Sequence, residues 1–180
     1  MKYSVIICLM LFAFSVNAQF KSARLQALGL TCAMCSNSIT KSLKTIPFIE
    51  SVDVDLKNTS YDLKFKEGAE VDFDMIRKKV ESAGFSVGAL TVVADFKDVK
   101  VKNDALVKLG GQLFHFVGIQ EQVLNGEQQL QIINKFFVPQ KEVKKYQSLS
   151  KSEILKTEKA GAEGKGLGVD AATRVFNVTI

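Results

Sequence analysis

The stretch Gly29-Leu30-Thr31-Cys32-Ala33-Met34-Cys35 (residues 29–35) is where an alternating segment gives way to a helical one. Before it, Leu25, Ala27 and Gly29 alternate with their neighbours, the period of a strand. After it, Ser36-Asn37-Ser38 offers helix-start chemistry, and Ile39, Leu43 and Ile46 recur at i, i+4 and i+7. Two cysteines three residues apart thus fall where a strand turns into a helix, and Pro47 stops that helix.

Working outward, Val52, Val54 and Leu56 alternate, Lys57-Asn58-Thr59-Ser60 turns the chain, and Tyr61, Leu63 and Phe65 alternate again, as in a hairpin. Gly68 breaks the run, Asp72 is a good N-cap, and Phe73, Ile76 and Val80 mark a second amphipathic helix. Gly84 stands where a C-terminal cap is expected, and Phe85–Val93 reads as a last strand. The order β-α-β-β-α-β is the split βαβ plan of ferredoxin-like domains. From about Asp95 the pattern changes. Gln112–Leu124 and Glu127–Val138 read as two long strands meeting in a hairpin at Asn125-Gly126. Phe96–Val101 and Arg174–Ile180 also alternate, Ser148–Ala160 fits a short helix, and Gly161–Asp170 is a glycine-rich loop. The expected fold class is α+β: a ferredoxin-like domain over residues 19–94, then a small β-rich domain over residues 95–180, drawn as a partly closed barrel.

The chain has 180 residues, 47% hydrophobic, with 24 Lys+Arg against 19 Asp+Glu. Met1–Ala18 inflates the apolar share: 14 of its 18 residues are hydrophobic, and Lys2 is its one charge. Lys2, the apolar run Val5–Phe14 and Val16-Asn17-Ala18 together have the form of a secretory signal peptide over residues 1–18. The run is shorter than the roughly 20 residues a membrane span needs. Cleavage after Ala18 would leave 162 residues of net charge +4, with no later segment apolar enough to span a bilayer. The signs are mixed along the sequence, which excludes a disordered tail protein and argues against a nucleic-acid partner. The expected location is outside the cytosol: the periplasm in a Gram-negative cell, otherwise secreted.

Without Cys8 of the signal, the cysteines are Cys32 and Cys35. A disulfide between them would close a loop of a few residues, where entropic stabilisation is smallest. The pair therefore suits chemistry better than stapling, although exported thiols also oxidise to inert pairs. At a strand-to-helix junction both sulfurs can aim at one point, and the helix N-terminus favours thiolate by about 0.3–1 kcal/mol. A bound metal must drive most of the deprotonation. Structural Zn(II) wants four protein ligands, and two cysteines with His115 do not supply them. A two-coordinate Cu(I) or Hg(II) needs only Cys32 and Cys35, and leaves room for a partner's thiolate. Cu(I) is the favoured ion, with Zn(II) and Hg(II) as alternatives.

Gly29–Cys35 followed by an amphipathic helix resembles the G-M-T-C-x-x-C signature of heavy-metal-associated domains, over roughly residues 22–93. That family includes copper chaperones, modules of copper-transporting P-type ATPases and the periplasmic mercury-binding protein. The resemblance implies a ferredoxin-like fold and metal ligation by Cys32 and Cys35. Leu30 stands where the family has a buried Met, a swap of similar volume. Gly84-Phe85 resembles the family's Gly-Tyr/Phe pair, whose ring packs near the metal loop. Eukaryotic cytosolic chaperones often have Lys there, so Phe85 aligns this sequence with the ATPase modules instead.

Other features read more plainly. Met34 is a packing or solvent-facing residue before it is a thioether ligand. His115, between Phe114 and Phe116, is an ordinary surface or core histidine. Lys141–Lys145 is a solvated face, and Gly161–Gly168 lacks a phosphate-binding pattern. Asn177-Val178-Thr179 fits a glycosylation sequon. With one His and no activated nucleophile, no hydrolytic or phosphoryl-transfer constellation is present, so a non-enzyme is expected. The expected function is an exported protein that binds a soft heavy-metal ion through its CxxC pair for transfer or sequestration. Its partners would be metal donors or acceptors with exposed thiolates. The alternative is a thiol–disulfide oxidoreductase using the same pair. The sequence has no Trp before the motif, and Pro47 is poorly placed as a cis-Pro facing the cysteines. A third reading is an interaction protein whose β-rich half docks a partner through its long strands.

Overall fold

The computed structural model describes residues 20–29 and 33–180, with side chains from Ser36 onward in the first helix. The expected signal peptide over residues 1–18, Leu30, Thr31, Cys32 and the side chains of Met34 and Cys35 lie outside the described residues.

The first six elements follow the expected order: β1 (Phe20–Leu28), α1 (Ala33–Lys44), β2 (Ile49–Asp55), β3 (Ser60–Phe65), α2 (Phe73–Ser82) and β4 (Ser86–Val101). Their strands lie side by side as β2-β3-β1-β4, all antiparallel. In β1, Ala23, Leu25 and Ala27 are buried while Arg24 and Gln26 face solvent. In β3, Tyr61, Leu63 and Phe65 are buried while Lys64 is exposed. The period-2 pattern thus puts one face of the sheet under the helices. Ile39 and Leu43 of α1, and Phe73, Ile76 and Val80 of α2, fill the layer beneath them. Asp72 caps α2, its carboxylate accepting from the Met75 N–H at 3.0 Å. Gly84, at φ 89°, ends the helix: its N–H donates to Glu81 O at 2.9 Å, and the Phe85 N–H donates to Val80 O at 3.2 Å. This pair of bonds is a Schellman closure, which needs the left-handed conformation glycine adopts without strain.

β4 is longer than the expected Phe85–Val93 and absorbs the strand expected at Phe96–Val101, so residues 94 and 95 lie in mid-strand. Its far edge pairs with β7 (Gln122–Ile132), and the sheet continues as β4-β7-β8-β6-β5 to eight strands. The outer members are β5 (Leu106–Leu109), β6 (Gln112–Phe116) and β8 (Val175–Thr179). β8 runs parallel to β6 and antiparallel to β7. The sheet is open, and no barrel closes among the described residues.

Asn125-Gly126 is not a hairpin turn. Both residues lie inside β7, which runs unbroken to Ile132. The register opposes Phe96 to Gly126 and Val99 to Leu124, so Lys97 and Asp98 on β4 face Asn125 alone. This is a β-bulge, with Asp98 at φ 51°, Gly126 at φ 69° and the Asn125 amide donating to Asp98 Oδ1 at 3.0 Å. The left-handed preference of Asn-Gly serves the bulge just as it would serve a turn. The Gln112–Leu124 run is likewise divided, with β6 ending at Phe116 and β7 starting at Gln122. The helical segments after β7 are α3 (Gln140–Gln147) and α4 (Ile154–Thr157), rather than one helix over Ser148–Ala160. Part of the glycine-rich loop forms a 3-10 turn, Glu163–Leu167.

One apolar cluster runs from Phe20 and Leu25 through to Phe176 and Val178. At its centre the Phe73 ring meets Phe20 at 5.1 Å, Phe176 at 5.2 Å and Phe114 at 6.2 Å, all edge to face. A helix of the first half therefore packs directly on strands of the second.

Candidate metal centre

The junction that should hold the cysteines is built from four sides. β1 ends at Leu28, and Gly29 follows at φ 87°, a left-handed turn that a residue with a side chain enters only with strain. α1 begins at Ala33, three residues before the expected Ser36, so the Cys35 backbone lies in the first helical turn. Cys32 immediately precedes that turn in sequence. The first turn has no acidic residue, whereas Lys41 and Lys44 occupy the last one. The positive end of the α1 dipole is therefore not offset by a carboxylate in its own first turn.

Ser36 does not cap the helix. Its hydroxyl is buried against the Tyr61 hydroxyl of β3 at 2.9 Å, and its carbonyl accepts from Thr40 Oγ1 at 2.9 Å. This bond ties the first turn of α1 to the sheet floor, and the motif alone gave no sign of it. The Schellman closure of α2 delivers Phe85 to the same end. Phe85 Cδ1 lies 3.9 Å from where a Cβ on Gly29 would stand, so the ring sits beside the first loop residue, as the resemblance implies. Leu28 leans across Gly88, where an added Cβ would come within 2.8 Å of Leu28 Cγ, so any side chain there would displace the exposed Leu28.

His115 takes no part in this end of the molecule. It is fully buried in β6, with Nδ1 2.8 Å from Asn177 Oδ1. Its Nε2 is 3.3 Å from Asp104 Oδ1 but lacks hydrogen-bond alignment. Asn177 in turn accepts no glycan: it has no exposed surface, and its backbone N–H donates to Asn134 Oδ1 at 2.6 Å. Among the described residues, no group of three or more His, Cys, Asp and Glu side chains is placed to hold a metal ion. A four-ligand centre built from those residues is therefore not on offer.

A β2-β3-β1-β4 antiparallel sheet under two helices, in the order β-α-β-β-α-β, is a ferredoxin-like arrangement. Residues 24–86 match the heavy-metal-associated domain family, and this part of the chain is such a domain. A probable copper-transporting ATPase of Arabidopsis thaliana is 32% identical over 78 residues, 43% of this chain and 8% of that protein. A copper-transporting ATPase of Helicobacter pylori is 38% identical over 58 residues, 32% of this chain and again 8% of the relative. The chain thus spans less than a tenth of the length of these relatives. Among solved structures, a yeast copper transporter domain studied in apo and Cu(I)-loaded states is 26% identical. It covers 36% of this chain and 88% of its own, with a TM-score of 0.33. Among the described residues, no helix is long and apolar enough to cross a membrane.

Proposed function

We propose that this is an exported protein that binds one soft heavy-metal ion, Cu(I) foremost, between Cys32 and Cys35, and transfers or sequesters it. The observation that carries this reading is the start of α1 at Ala33. It puts Cys35 in an acid-free first turn directly after Cys32, inside a segment matching the heavy-metal-associated domain. The copper-transporting relatives support Cu(I) ahead of Zn(II) or Hg(II) as cargo. Two thiolates satisfy a two-coordinate soft ion, and the third position stays open to a partner's thiolate. Handover then proceeds by adding that thiolate before one of the two cysteines leaves. The partner is a protein with exposed thiolates, and the chain itself performs no catalysis. Met1–Ala18 supports export, to the periplasm of a Gram-negative cell or to the exterior of another.

An anaerobic competition titration tests this on the reduced chain beside a Cys32→Ser/Cys35→Ser variant, with Zn(II) in parallel. One tight Cu(I) per chain, lost in the variant and unmatched by Zn(II), is the expected result. Equal Cu(I) binding by both proteins would overturn it.

A further inference from the structure

A cleft of about 640 Å³ opens between the end of β1 and the segment that follows β7. Its apolar surface comes from Leu28, Val87, Phe136, Val138, Val143 and Leu155, drawn from both halves of the chain. One wall is a single face of α3: Gln140, Val143, Lys144 and Gln147 follow the i, i+3, i+4, i+7 spacing. No residue of α3 is fully buried; Val143 is half-buried against Val138 and Leu155, and the rest of this face lies over the cleft.

The charges around the cleft are not balanced. Glu81 is taken by Arg77, whose Nη1 lies 2.7 Å from both carboxylate oxygens. Glu158 pairs with the Arg174 guanidinium and accepts the Lys135 backbone N–H at 2.6 Å. Burial works against the charge of Arg174, but Asp74 and Glu158 together hold its pKa above the ordinary value. Lys156 is held by Glu153 at 2.9 Å. Lys135 and Lys144 remain, both exposed and neither in a salt bridge among the described residues. Lys135 Nζ sits 4.9 Å from the centre of the Phe136 ring.

Phe136 is the second anomaly. It is 57% exposed and has φ 72°, a left-handed conformation that is costly for an aromatic residue. The tight turn between Lys135 and Val138, in which the Phe137 N–H donates to Asn134 O at 3.0 Å, sends Phe137 into the core and leaves Phe136 outside, its ring under the Arg77 guanidinium at 5.7 Å. An exposed aromatic, an apolar hollow and two ammonium groups with no carboxylate partner among the described residues share one mouth.

We propose that this cleft binds a small amphiphilic anion, with its apolar body against Phe136 and Val143 and its anionic end between Lys135 and Lys144. A medium-chain carboxylate is the simplest member of that class. The volume falls within the roughly 300–1,000 Å³ of small-molecule sites. A protein partner would need about 800 Å² of contact on this side. Of the large exposed hydrophobic side chains among the described residues, Leu28 and Phe136 alone line the cleft. The site is independent of the metal reading and needs no ion.

The test is calorimetric titration of dodecanoate, below its micelle concentration, into the full metal-free chain. Dodecanol is the uncharged comparator, and Lys135→Glu/Lys144→Glu and Val143→Asp are the variants. The lysines are exposed and form no salt bridge among the described residues, so their reversal should shift thermal melting by only a few degrees, and each variant's binding is read only where its melt shows it folded. One dodecanoate per chain is expected, bound at least tenfold more weakly by the lysine variant and lost in Val143→Asp. Dodecanol should bind at least tenfold more weakly than dodecanoate. Absence of saturable binding, or equal binding by the wild-type and lysine variants, overturns the proposal. So does dodecanol binding as tightly as dodecanoate.

Discussion

On one flank of β4, the strands β1, β3 and β2 are covered by two helices of 12 and 10 residues whose apolar faces go fully into the core. On the other flank, β7, β8, β6 and β5 are accompanied by helices of eight and four residues, the longer with no buried side chain. The contrast shows how one sheet carries two kinds of cover. Where long helices seal the layer, the sheet ends at the β1–α1 junction, with Gly29 beside Phe85. Where short helices cover it incompletely, a small satellite cluster forms around Val117 and Ile133, and a cleft is left open. The seam between the flanks is sealed by aromatic rings and by Arg174, which reaches Asp74 of α2 at 3.0 Å.

The largest effect should come from cutting that seam. Phe73→Ala removes the ring shared by β1, β6 and β8 and should cost about 3–5 kcal/mol. Urea unfolding followed in a Tyr146→Phe background by tyrosine fluorescence, which then reports on Tyr61 of the first flank, and by backbone circular dichroism should still give one coincident transition. Two separated transitions would show flanks that fold independently. A smaller loss is expected within the second flank alone. Asn177→Ala strips the partner from buried His115 Nδ1 and should cost about 1–3 kcal/mol, read as a shift in urea midpoint at constant slope. The smallest concerns the bulge. At Gly126 an added Cβ meets nothing within 4 Å, so Gly126→Ala tests backbone strain alone, about 1–2 kcal/mol. A neutral result would mean that the bulge relaxes at no cost.

The first flank was legible because its signals are local. Asp72 caps the helix it precedes, Gly84 closes it, and buried residues alternate along each strand within a few positions of one another. The second flank depends on pairings that no window of sequence contains, such as Leu90 with Ile132 and Leu113 with Val175. Asn125-Gly126 misled for the same reason: whether a left-handed pair turns the chain or bulges a strand depends on Asp98, 27 residues away. At the metal centre the CxxC spacing and Phe85 could be read directly. The Ser36–Tyr61 bond could not, because Ser36 before a helical run looks like a cap until β3 is in place. The cleft had almost no signature, since its walls meet only in the folded chain. Lys141–Lys145 with Val143 between them read as a plain solvated face.

The central claim is that a soft ion is held by sulfur alone at the end of the well-covered flank. Copper K-edge X-ray absorption on the Cu(I)-loaded chain, in a buffer free of added thiols, tests it most directly. The account predicts a first shell of two sulfur scatterers, abolished in Cys32→Ser/Cys35→Ser. A shell containing nitrogen or oxygen, or one unchanged in that variant, would contradict it.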